Sequence, residues 1–75
     1  MVAKNTVIQV KELPIRLGQF LKLADLVQDG LEAKMMITNG EVFVNGVRET
    51  RRGKKLQRLD TVTIDGTSWT VDLQQ

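Results

Sequence analysis

The chain has 75 residues and a mass of 8.5 kDa, enough for one small domain around one hydrophobic core. Its 41% hydrophobic content is ordinary for a globular protein, and no apolar span reaches the roughly 18 residues of a membrane crossing. Eleven basic and nine acidic residues leave a net charge of only +2, and the absence of Cys, His and Tyr removes disulfides, thiolate and imidazole metal ligands and the commonest general base, which excludes most hydrolytic and redox chemistry. The lack of cysteine fits a reducing, cytoplasmic setting. Met1–Gln9 carries Lys4 and no apolar run, so it does not read as a secretory leader.

Thr6-Val7-Ile8-Gln9-Val10 is a β-prone run, and the Lys11-Glu12-Leu13-Pro14 that follows ends in a proline suited to the first turn of a helix. The first helix is therefore expected to start near Pro14 or Ile15. Leu17, Phe20, Leu21, Ala24 and Val27 recur at three- and four-residue steps, with Arg16, Gln19, Lys22 and Asp25 turned away, an amphipathic pattern that runs to about Gln28. Asp29-Gly30-Leu31-Glu32 reads as a break plus a capping box, in which the Asp29 carboxylate accepts the Glu32 backbone N–H and the Glu32 carboxylate reaches back. The short second helix then has Ala33, Met36 and Ile37 on its apolar face, Lys34 pointing elsewhere, and Asn39-Gly40 as a left-handed stop.

Beyond Gly40 the period changes to two. Val42 and Val44 share a face opposite Phe43, and Asn45-Gly46 fits a type I′ turn, so Val47-Arg48-Glu49 is expected to pair back on Val42–Val44. Arg51-Arg52-Gly53-Lys54-Lys55 holds no apolar residue and reads as an exposed loop. Thr61–Ile64, Asp65-Gly66 and Thr67–Leu73 form a second hairpin, with Trp69, Val71 and Leu73 on one face and Trp69 anchoring a second small core. No linker or low-complexity tract interrupts the chain, so residues 1–75 are read as a single domain of the α+β class, two helices packed on a small, mostly antiparallel sheet.

Charge is placed unevenly along this scaffold. Between Asn45 and Arg58 stand Arg48, Arg51, Arg52, Lys54, Lys55 and Arg58 against the single acid Glu49, a local net of +5 within an overall +2. A positive potential focused on one turn-rich segment is the footprint of a polyanion partner, while the plainer reading is a solvated loop that keeps a small protein soluble. The carboxylates show neither a catalytic pair nor the spacing of a calcium loop: Asp60 and Asp65 differ by an odd number and would face opposite sides of a continuous strand. Met35 and Met36 read as packing. No catalytic residue, metal or cofactor is expected.

Several fragments, in their order and spacing, resemble the αL RNA-binding motif, named for the ribosomal small-subunit protein four and found in pseudouridine synthases, tyrosyl-tRNA synthetases and a heat-shock RNA-binding protein. Gly40-Glu41-Val42-Phe43-Val44-Asn45-Gly46 is similar to its Gly-x-Val-x-Val-Asn-Gly core, and Ala33-Lys34-Met35-Met36-Ile37 to its Ala-Arg-x-x-Ile helix. Arg16-Leu17-Gly18-Gln19-Phe20-Leu21 matches its Arg-Leu-Asp-x-x-Leu start, and Leu59-Asp60-x-Val62 its Pro-Gly-Asp-x-Val. The likeness runs from Arg16 to Ile64, and the short stand-alone form is similar to bacterial YbcJ-type proteins. It departs at Gly18, where the family has aspartate, and at Asp29-Gly30, where the family has Ser-Arg with the arginine at the RNA surface.

The resemblance implies a protein that binds structured RNA, ribosomal or precursor ribosomal RNA first of all; a cytoplasmic monomer with no membrane partner is the default expectation from composition. Lys22, Lys34, Arg48, Arg51, Arg52, Lys54, Lys55 and Arg58 are the residues expected at the RNA, arginine as a planar fork for phosphate and lysine as a mobile point charge. Lys34 would lie beside a helix N-terminus, where a phosphate is favoured. Arg16 carries less weight, and Phe43 either packs on the sheet or stacks a base. Two other readings stand beside this one. The basic loop would dock an adaptor on an acidic protein partner, or the paired helices would read DNA, for which Glu32 and a single Lys34 are a poor base-reading set.

Overall fold

The computed structural model describes residues 5–74, so Met1–Lys4, part of the stretch read above for a leader, lie outside the described residues. Its elements are β1 (Asn5–Val10), β2 (Ile15–Arg16), α1 (Leu17–Leu23), α2 (Gly30–Thr38), β3 (Val42–Val44), β4 (Val47–Arg48), β5 (Lys55–Leu56), β6 (Thr61–Ile64) and β7 (Thr67–Leu73). Five strands form a sheet of order β1-β7-β6-β3-β4, antiparallel except where β1 runs parallel to β7, and β2 pairs with β5 in a separate ladder. The expected class and layering hold.

Alternation along the strands decides which sheet face is covered. Val10, Val42, Val44, Val62 and Val71 are buried on one face, under Leu17, Phe20 and Leu21 of α1, Ala33 and Ile37 of α2, and Leu56 of β5. Phe20 is the bulkiest of these fully buried side chains; truncating it to Ala would cost about 3–5 kcal/mol, a large fraction of the stability of a domain this small. Trp69 packs against this same core, so the second core expected around it does not form. The opposite face is mostly polar, with Thr63, Ser68 and Asn5 in one cross-strand row beside Phe43.

Both hairpins turn as read. Asn45 and Gly46 have φ of 51° and 81°, Asp65 and Gly66 50° and 80°, the paired positive angles of a type I′ turn. The α2 boundaries also hold. The Asp29 side chain accepts the Glu32 N–H at 2.8 Å, although Glu32 reaches one residue further back than a capping box requires, to the Gln28 N–H at 2.8 Å. At its end, Gly40 at φ 79° lets the N–H groups of Gly40 and Glu41 close on the Ile37 and Met36 carbonyls.

The first helix is shorter than expected at both ends. Ile15 and Arg16 are extended and pair with Leu56 and Lys55, which also takes Lys55 out of the loop and into a strand. This arrangement serves the first turn of α1, whose N–H groups have no partner within the helix: Leu17 donates to the Lys54 carbonyl at 2.8 Å and Gly18 to the Arg52 carbonyl at 3.0 Å. The other end closes at Leu23 because Asp25 takes φ 61° and the N–H groups of Asp25 and Leu26 return to the Lys22 and Leu21 carbonyls. Val27 is buried from outside the helix, which is why the apolar period outruns it.

Candidate nucleic-acid interface

The two backbone bonds that satisfy α1 also fix the basic loop. By donating to the Lys54 and Arg52 carbonyls respectively, Leu17 and Gly18 clip residues 52–54 across the start of the helix. Arg52 and Gly53 then face Arg16, Gly18, Gln19 and Lys22, with Gly30 and Ala33 of α2 completing an open cleft of about 310 Å³. Three exposed cations, Arg16, Lys22 and Arg52, line it, and among the described residues no acid does. Lys34 follows Gly30 by one helical turn and so extends the positive strip along the same flank of α2. The α2 N-terminus itself is already capped by Asp29, so Lys34 acts there as a point charge without an adjoining helix-end anion site.

The remaining expected residues divide into three groups. Lys54 and Lys55 line the other flank of the loop with Arg51 and Gly53. Arg51 and Arg58 stay exposed, as expected of them, but each also pairs with an acid of the protein itself. Arg51 grips Glu49 with Nε at 3.0 Å and Nη2 at 3.2 Å, and Arg58 Nε meets Asp72 Oδ1 at 2.9 Å. Among the described residues these are the two ion pairs. Each arginine, chiefly through its side-chain hydrogen bond, holds its carboxyl below the ordinary range. Arg48 stands apart, on the polar sheet face above Phe43.

The cleft thus unites Lys22 and Arg52, with Lys34 one helical turn beyond Gly30, and adds Arg16, the residue of least expected weight. The signal for Arg16 was its place at the head of Arg16-Leu17-Gly18-Gln19-Phe20-Leu21. Two other motif positions have structural explanations. Asn45 donates to Asp60 at 3.1 Å and accepts the Thr61 N–H at 2.9 Å, while Asp60 also accepts the Gln57 N–H at 2.8 Å, so this pair ties two turns together. Leu59, at φ 70°, occupies the place where the resembled motif has glycine, and the left-handed backbone accounts for that glycine.

Two short helices over a mostly antiparallel sheet, with a cationic loop clipped onto the first helix, define the αL class of module. The S4 domain profile matches residues 8–72, and the chain belongs to the S4 domain family. It is 52% identical over 52 residues to the probable ribosome maturation protein RlbA of Bacillus subtilis (strain 168), a match covering 69% of this chain and 73% of that one. It is also similar to the solution structure of YbcJ from E. coli, described as revealing an αL motif involved in RNA-binding, with a TM-score of 0.64 and 30% identity over 96% of this chain and 90% of that one.

Proposed function

We propose that this protein binds structured RNA, with ribosomal or precursor ribosomal RNA as its target, and that it works as a monomer. The observation that carries the reading is the acid-free cleft, where the clipped loop brings Arg52 against Arg16 and Lys22. Such a cleft suits a folded backbone whose phosphates crowd together, and it reads shape more than base identity. The YbcJ motif supports RNA as the ligand, and the Bacillus relative supports a role in ribosome maturation. An acidic protein partner is the weaker reading, because Arg51 and Arg58 already hold acids of this chain while, among the described residues, the cleft cations are in no ion pair.

The test is binding of a structured ribosomal RNA fragment, followed by fluorescence anisotropy across a salt series. With about five phosphate contacts, the slope of log affinity against log salt is expected near −3 to −4, and a Lys22→Gln/Arg52→Gln double variant should lose roughly 25-fold at 0.1 M salt. Binding that ignores both salt and this double substitution refutes the reading. Crosslinking in cells tests the target: reads should pile up at discrete sites in ribosomal RNA, and a spread over all transcripts in proportion to abundance would reject it.

A further inference from the structure

The polar sheet face holds a charged group that the cleft does not use. Arg48 and Phe43 are cross-strand partners, and the Arg48 guanidinium carbon lies 5.3 Å from the centre of the Phe43 ring. Gly40 makes room for it. A β-carbon at that position would come within 3.2 Å of Arg48 Cδ and 3.3 Å of Nε, so the glycine that ends α2 also opens the slot in which the arginine lies. Unlike Arg51 and Arg58, Arg48 is in neither of the ion pairs found among the described residues. The row continues from the ring through Thr63 and Ser68, whose hydroxyls share a 2.9 Å hydrogen bond, to Asn5, and no acid stands in it.

The Arg48 guanidinium lies over the Phe43 ring, and Arg48 remains exposed to solvent. The contact with the ring restrains the side chain, and an arginine plane can take a second flat, electron-rich group, which for a nucleic acid is a base. Bases inside a duplex have both faces occupied by their neighbours, so only an unpaired one can enter such a stack. Arg48 precedes Arg51 by three residues, at most roughly 10 Å of extended chain, so a nucleotide here can adjoin phosphates held by the basic loop.

We propose that Arg48, laid over Phe43, is a stacking platform for one unpaired base, so that the RNA ligand carries a bulged, looped or terminal nucleotide beside the backbone held by the loop. The inference rests on the RNA reading above and narrows it from structured RNA in general to RNA interrupted by an unpaired base. The hydroxyl row beyond the ring offers donors and acceptors to the edge of that base without a competing charge.

The experiment uses the full chain and two probes, a blunt RNA duplex and the same duplex with one bulged 2-aminopurine. The bulged RNA is expected to bind about tenfold tighter, with a change in 2-aminopurine emission on binding. Arg48→Lys keeps the charge and loses the plane, and Phe43→Leu keeps the apolar contact and loses the ring. Each should bring the bulged RNA down to the affinity of the plain duplex while leaving the duplex affinity within about twofold, with thermal melts showing that both variants fold. Salt-dependent but equal binding of the two RNAs by the unaltered protein sinks the platform and leaves the RNA reading standing. Retention of the preference by Arg48→Lys also sinks it, since a point charge would then suffice, and binding of neither RNA sinks both readings.

Discussion

Replacing Glu49 with glutamine should tighten RNA binding, whereas replacing Arg51, the residue it holds, should do little. Arg51 presents its fork to Glu49 at 3.0 and 3.2 Å, and its backbone N–H donates to the same carboxylate at 3.0 Å, so its charge is matched within the protein. Arg52, one residue on, lines the cleft and is in neither of the ion pairs among the described residues. Each phosphate contact multiplies the affinity by salt to the power of about −0.7 on the single-strand coefficient, which at 0.1 M amounts to roughly fivefold. Arg52→Gln is therefore expected to cost about fivefold and flatten the salt slope by about 0.7, and Arg51→Gln to cost less than about twofold. Glu49→Gln frees a cation and removes an acid, and should gain about fivefold with a steeper slope. Glutamine keeps an oxygen for the Arg51 backbone N–H, so the loop conformation survives the change. Anisotropy titrations with one RNA over a salt series measure all three. If Arg51→Gln proves as costly as Arg52→Gln while Glu49→Gln is neutral, then RNA strips the pair apart and lies over the loop, and the cleft is not the centre of binding.

Asn45→Ala removes two hydrogen bonds and places alanine at φ 51°, so it should destabilise by about 2 kcal/mol and lower Tm by roughly 10 °C, without weakening RNA binding below the melting range. Gly18→Ala should raise Tm by about 2–4 °C, a gain of about 0.5 kcal/mol, because a β-carbon there meets the Arg52 backbone oxygen at an ordinary 3.6 Å and the helix gains a better former; a fall in Tm would mean that the loop packs more tightly on α1 than this distance allows. Arg51 and Arg58 depress the carboxyls of Glu49 and Asp72, and groups with depressed folded-state values contribute stability above the unfolded pKa and lose it as pH falls through the folded one. The Glu49→Gln/Asp72→Asn variant should accordingly lose less Tm than the unaltered chain between about pH 5 and about pH 2.5, by a small margin since both pairs are exposed; equal losses would show that the pairs contribute nothing.

What could be read in the sequence was local. Asn45-Gly46 and Asp65-Gly66 specify their turns because few other dipeptides accept two positive φ angles in succession, and Asp29 marks a helix start because its side chain needs only a partner three residues on. The length of α1 was not legible, since its stop puts an aspartate, not a glycine, in the left-handed position and Val27 continues the apolar period from outside the helix. The pairing of Ile15–Arg16 with Lys55–Leu56 joins segments some forty residues apart, and no residue in either segment announces the other.

The composition of the interface was legible in the same partial way, and the reason is physical. Counting charge between Asn45 and Arg58 finds a local +5, but charge count does not distinguish a free cation from a matched one, and Glu49 and Asp72 match two of the six. Arg16 enters because α1 begins where its first two N–H groups can use the loop carbonyls of Lys54 and Arg52, and that backbone requirement carries Arg52 to within reach of Arg16 and Lys22. The cleft is thus a by-product of ending a helix properly: the bonds that complete the start of α1 are the bonds that aim the loop. A substitution that weakens this clip, such as proline at Gly18, which removes the donor to the Arg52 carbonyl, should lower RNA affinity with every cation still in place, and unchanged affinity in a folded Gly18→Pro variant would separate the loop's position from its charge.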